Sequence, residues 1–405
     1  MNVVLRKYPY PYQAVFAICS DLDETPSEKI YFETIRYLNT RDSTIFGKGL
    51  GLEVGNTIYF HMPEGQFSYW NCSDKSRENI RSLIKSGHID CLHSFGDEAD
   101  TRQKIEACWD ELSSHDCFIK VWIDHAQADS NLDTDIMCGK GAVRGSEVYH
   151  TDITFSKSGI EYVWKGRVTS VIAQNAKRSL MGLFNTSHPL KSFKTILTEL
   201  VKGLLGSFNN KKYRMHGDNG ILRKTCLHDG TETKEFMRSN PSWAGVSAHE
   251  KGRDIGNVIS MDMLNRLITK KGCSILYTHL GKISSLQEPF GLKALQAFEM
   301  VAEKYRNKEI LVLTTRRLLD YMYAYESVEY ETTVQNGRVT IKIVTDNISL
   351  EQLSGLTWYV EDPEKVDVYY NKVKIERVVR NSEDENMRKS ISIPLDRLNF
   401  PEIND

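Results

Sequence analysis

Short apolar runs alternate with amphipathic ones along residues 14–325. Residues 14–19 are continuously apolar, the pattern of a strand covered on both faces. Thr25-Pro26-Ser27-Glu28 then reads as a helix start, with Thr25 as N-cap, Pro26 at the first helical position and Glu28 closing a capping box. Tyr31, Ile35 and Leu38 mark one face of that helix. Residues 58–60 and 89–92 predict strands, and 76–86 a helix stopped by Gly87. Ile105, Cys108, Trp109 and Leu112 recur at spacings of 3 and 4, which predicts a helix after Asp97. Strands follow at 118–123, 168–173, 273–278 and 310–314, and helices at 190–205, 260–270, 291–305 and 315–325.

Strand–helix alternation predicts βα units around a mostly parallel sheet, and the length of this stretch favours a barrel over an open sheet. The texture changes near Ser327. Runs at 328–334 and 338–345 alternate polar and apolar around Asn336-Gly337, a strong hairpin signal. Strand-like runs recur at 356–360, 366–370 and 389–393. The expected organisation is an α/β chain: a (β/α) barrel over 1–326 and a small antiparallel β domain, sandwich-like, over 327–405.

Composition narrows the class. Of 405 residues, 40% are hydrophobic and 26% charged, an ordinary balance for a globular chain, and the net charge of -2 gives no reason to expect nucleic acid or an anionic membrane as a partner. Residues 1–12 lack the apolar core of a signal peptide, and no run reaches the roughly 18 apolar residues of a membrane span. Eight scattered cysteines contain no Cys-x-x-Cys pair. The expectation is a cytoplasmic chain with reduced thiols and no integral membrane segment.

Four strand ends carry chemistry. Asp21 and Asp23 sit two apart after the first strand, able to hold a cation, to divide as ligand and general base, or to cap a helix. His93 and Asp97 are four apart where a strand turns into a helix; they are candidate ligands for zinc or a similar metal, or else a core histidine and a helix cap. Asp124-His125 closes another strand, with His125 a ligand, a substrate-orienting group or a surface residue. His279 closes a late strand in Ile275-Leu276-Tyr277-Thr278-His279, either as a proton donor or as a structural histidine. Phe67-Ser68-Tyr69-Trp70-Asn71 is a sugar-stacking candidate or core. Phosphate-loop, dinucleotide and Gly-x-Ser-x-Gly motifs are missing, and His249-Glu250 lacks the second histidine of His-Glu-x-x-His.

Taken in order, acid pair, His-rich turn and late histidine, this set resembles the polysaccharide deacetylase (NodB-homology) family over most of residues 10–325. The resemblance implies a distorted (β/α) barrel with one divalent metal, zinc first. It implies Asp21 as general base, Asp23 and His93 as ligands, and His279 as general acid. The family's His-[Ser/Thr]-x-x-His becomes His93-Ser94-Phe95-Gly96-Asp97, with Asp97 at the second ligand position. The arginine that braces the base has no Arg-x-Pro motif here; Asp124-His125 stands near that place, and Arg238 is the substitute brace. The implied activity is removal of an N-acetyl group from an amino sugar of a surface glycan or its precursor. The alternatives are a metal hydrolase of another amide or ester, and a carbohydrate-binding scaffold on a degenerate barrel. A two-carboxylate glycosidase fits less well, because Asp21 and Asp23 are too close together.

Overall fold

The structure is a computed structural model. It describes residues 3–22, 24–125 and 128–403. Its main sheet is parallel around Ala14–Ser20, which pairs with Cys273–Thr278 on one side and with Gly55–Ile58 and Ile310–Val312 on the other. From Gly55–Ile58 the sheet runs on in parallel through Ile89–His93, Val121–Ile123 and Tyr162–Trp164 to Glu232–Phe236. Met237 alone separates that last strand from Arg238–Ser239, which pairs with Cys273–Thr278. One stretch of chain therefore lies against both flanks, and the sheet curls back towards its start. The result is a mixed α/β architecture with a curled, barrel-like sheet.

The period-2 rule divides each strand between two cores. Ala14, Phe16 and Ile18 join the layer beneath the surrounding helices, with Leu92, Trp122, Val163 and Leu276. Val15, Ala17 and Cys19 point the other way, into a core with Cys91, Val121, Ile123, Trp164, Phe236 and Ile275. This explains why residues 14–19 are apolar throughout: neither face meets water. Burying each such large side chain contributes about 1.5–3 kcal/mol.

Most expected elements are present, with shifted edges. The first helix, Glu28–Asn39, is capped by the Ser27 side chain, which accepts from Ile30 N. Thr25 is not the cap, because its hydroxyl donates to Leu22 O in the preceding turn. Glu28 closes no capping box; its carboxylate accepts from Ser73 N and from the Ser73 and Ser76 hydroxyls. Asp74–Lys85 ends before Gly87, which has φ +82°. The 168–173 run forms a strand only at Val168–Thr169.

In the C-terminal part, Tyr330–Gln335 and Arg338–Ile343 form the expected hairpin, with φ +51° at Asn336 and +73° at Gly337, as a type I′ turn requires. Two departures stand out. Arg338–Ile343 pairs in parallel with Val366–Tyr370, so that sheet is not purely antiparallel. Val4–Arg6 forms an antiparallel edge strand on Thr357–Tyr359, so the chain's beginning belongs to a C-terminal sheet. Val339, Ile341, Trp358 and Ile391 share one core with the inward residues of the curled sheet. All eight cysteines are free thiols, with only Cys138 and Cys226 exposed. No described helix is long and apolar enough to cross a membrane.

Candidate active site

The division of residues between the two cores also builds the site. The inward series Val15, Ala17, Cys19 extends by parity to Asp21, Cys91 extends to His93, and Val121 and Ile123 extend to His125. Phe236 extends to Arg238, and Ile275 and Tyr277 to His279. Five side chains, from five strands of the one sheet, thus converge on the mouth at the carboxyl ends of the strands. In (β/α) barrels chemistry sits at this end.

Asp21 lies at the centre and is fully buried. Its backbone N–H donates to Thr278 O, tying it to the His279 strand. Arg238, also fully buried, donates from Nη2 to Asp21 Oδ2 at 2.7 Å and to Cys19 O at 3.2 Å. His93 Nε2 is 3.4 Å from the same carboxylate oxygen. Asp21 Oδ1 is buried without a hydrogen-bond partner among the described residues. Burial alone would raise this carboxyl, but Arg238, His93 and His279 together hold it well below the usual carboxylate range. Asp21 is therefore an anion with one oxygen left over.

Arg238 is gripped as well as paired. Its guanidinium carbon sits 4.6 Å from the ring centres of both Trp164 and Tyr277. Two aromatic faces favour a desolvated cation and fix the plane of its donors.

The histidines form a second group. The rings of His93 and His125 have centroids 4.9 Å apart, and Tyr59 lies beside both, at 4.6 and 5.2 Å. Asp97 Oδ1 is 2.8 Å from His125 Nδ1. This corrects the expectation that His93 and Asp97 share a helix face: the helix starts only at Arg102, and Ser94 and Gly96 turn the chain with φ +50° and +97°. The turn carries Asp97 out to the half-buried His125 instead. Asp124, beside His125, faces the other way and accepts from Trp122 Nε1, Leu132 N and Asp133 N, so it shapes the following loop.

His279 is nearly buried and is fixed through its backbone, donating to Glu250 O at 2.7 Å and accepting from Gly252 N at 2.8 Å. Its ring lies edge-on to Tyr277. Asp23 lies outside the described residues. Among the described residues, no group of three His, Cys, Asp or Glu is arranged to hold a metal ion. The donor chemistry of His93 and His125, adjacent imidazoles beside an anionic carboxylate, nevertheless suits a borderline divalent cation. The aromatic run 67–71 is largely core, with Tyr69 stacked on Phe60.

Tyr59, Trp164 and Tyr277 are site residues that sequence reasoning did not single out. Each lies at or just past the end of a strand at the level of the acids and histidines, and that shared level is the signal that marks them. No family model matches the chain, and it has no match among curated proteins or solved structures.

Proposed function

We propose that the chain is a metal-dependent hydrolase that removes an N-acetyl group from an amino sugar of a surface glycan or its precursor. The observation that carries this reading is the buried Asp21 carboxylate, held by Arg238, beside His93 and the His279 strand. A buried, ionised carboxylate whose Oδ1 is left free by Arg238 is placed to accept a proton from a water in the mouth, a group that a binding scaffold does not require. A divalent ion, zinc first, would be held by His93 and His125 with Asp23, and would polarise the acyl carbonyl and acidify a water.

The chain's own residues do the rest. Arg238 keeps Asp21 ionised and fixes its rotamer, leaving Oδ1 to take a proton from the attacking water. His279 supplies a proton to the departing amine. In this reading Asp97 is an orienting partner for the His125 ring and not a ligand. The choice of an N-acetylated sugar as substrate rests on the family resemblance.

The test combines metal analysis with an acyl-release assay on N-acetylated sugars, using wild type, Asp21→Asn and His93→Ala. About one zinc-like ion per chain, lost in His93→Ala, with acetate release abolished in both variants, supports the proposal. Metal with release only from non-sugar amides or esters transfers the reading to another acyl hydrolase. No metal after loading and no release overturns it in favour of a carbohydrate-binding scaffold.

A further inference from the structure

The helix Pro189–Ser207 has its apolar face outward. Leu190, Phe193, Leu197, Val201, Leu204 and Phe208 recur at spacings of 3 and 4, one stripe of the helix and its C-cap, and all are exposed, from 47% accessible at Val201 to 86% at Leu190. The buried positions are Ser192, Thr195, Glu199, Gly203 and Gly206, the opposite stripe. Small and polar residues thus make the contact with the rest of the molecule. At Gly203 a Cβ would run into the Arg178 guanidinium, and at Gly206 into the backbone of Tyr213 and Gly217. Met181 and Phe184, in the adjoining turn, are exposed as well. An apolar face of this length left in water is a marked departure from how a globular chain buries its helices.

The charge around the stripe selects the occupant. Residues 177–214 hold eight Lys and Arg against one acid, Glu199, a net of +7 in a chain whose net charge is -2. Glu199 does not reach the outer face, because it is buried, accepts from Thr169 Oγ1 and pairs with Lys202 at 2.8 Å. Lys191, Lys194, Lys211 and Lys212 are all exposed. A long apolar stripe flanked by lysines, with its single acid turned inward, has the composition of a helix lying in the surface of an anionic bilayer. Its charged residues exclude a span, in keeping with the lack of any crossing helix among the described residues.

We propose that the Pro189–Ser207 helix docks the protein on an anionic lipid surface, apolar face down. The helix is joined to the mouth of the sheet through one loop: Thr195 Oγ1 donates to Trp243 O, and Glu250, at the other end of that loop, accepts from His279 N. Docking there would hold the mouth close to the lipid headgroups.

Flotation of the full chain with phosphatidylcholine vesicles, with and without phosphatidylglycerol, tests it. The expected result is flotation with the anionic vesicles, weakened by neutral lipid and by high salt. Combined Leu197→Ser, Leu204→Ser and Phe208→Ser should lower binding about tenfold or more, with the unfolding midpoint unchanged because these side chains are exposed. Failure of wild type to float with anionic vesicles overturns the proposal, as does binding that the triple variant leaves intact. Sedimentation adds one further outcome: self-association abolished by the triple variant, without vesicle binding, would make the stripe a contact between two copies and overturn the lipid assignment. Vesicle binding reads no acyl transfer, so it stands or falls separately from the hydrolase.

Discussion

Arg238 Nη2 donates to Asp21 Oδ2 at 2.7 Å although 217 residues separate the two, and neither side chain is more than 1% exposed. A buried pair of this kind is costly to assemble but far more costly to break, since removing one partner strands the other's charge. Arg238→Met should therefore destabilise the fold by about 3–5 kcal/mol in urea unfolding at neutral pH. Arg238→Lys should recover part of the loss but not the packing of the planar guanidinium against Trp164 and Tyr277. A loss below the range for an exposed pair, about 1 kcal/mol, would mean that the two charges are not buried together in solution.

If Asp21 and His279 act as base and acid, His279→Ala should lower the turnover of an amide substrate about a hundred- to ten-thousand-fold with little change in metal content. An ester with a good leaving group needs less protonation and should lose less. Equal losses on amide and ester would remove His279 from the role of proton donor.

The Asp97–His125 contact gives a separate prediction. Asp97→Ala should leave the fold intact, since the carboxylate is exposed, but should weaken metal binding about 10–100-fold by freeing the His125 ring. Metal competition with a chromogenic chelator measures this directly. Unchanged affinity would show that Asp97 does not position the ring.

Gly96 sets up that contact. It has φ +97°, and a Cβ there would meet the His61 backbone. Gly96→Ala should cost about 1–3 kcal/mol from backbone strain alone, and should lower metal affinity as Asp97→Ala does, because the turn that delivers Asp97 is displaced. Thermal unfolding and the same chelator titration read the two effects; a fully stable variant would sink the argument from the turn.

Much of this was legible from period and spacing. Residues 14–19 announce a strand covered on both faces, Asn336-Gly337 announces its turn, and the parity of Asp21, His93, His125 and His279 within their strands puts them on one face. Other features leave weak local traces. Tyr162–Trp164 and Arg238–Ser239 are too short to show a period, yet they carry Trp164 and Arg238. The Asp21–Arg238 pair is a product of sheet closure, which no local pattern encodes. Thr25 and Ser27 are equally good caps by residue type, and the hydrogen bond from Thr25 to Leu22 O decides between them. The 190–205 periodicity gives a helix, but not which way its apolar stripe faces.

His150 provides a pH-dependent test of the fold away from the proposed site. The ring is fully buried, with Nε2 against Ser130 O at 2.8 Å and Nδ1 against Thr154 Oγ1 at 2.7 Å. Trp109 Nε1 donates to that same Thr154 oxygen, so the threonine hydroxyl proton is free to point at Nδ1. The arrangement fits a neutral ring protonated at Nε2, and a second proton on Nδ1 would oppose the Thr154 donor. Burial accordingly pushes His150 down to about 4, against about 6.5 in the unfolded chain. The unfolded state takes up the proton first as pH falls, so stability is complete above about 6.5 and is lost as pH drops from there towards 4. The loss from this one group approaches about 3 kcal/mol at the acid end. His150→Gln should be less stable than wild type at pH 7 but should lose stability less steeply between pH 6.5 and 4. Parallel urea-unfolding profiles for the two proteins across that window would show that His150 is not held neutral.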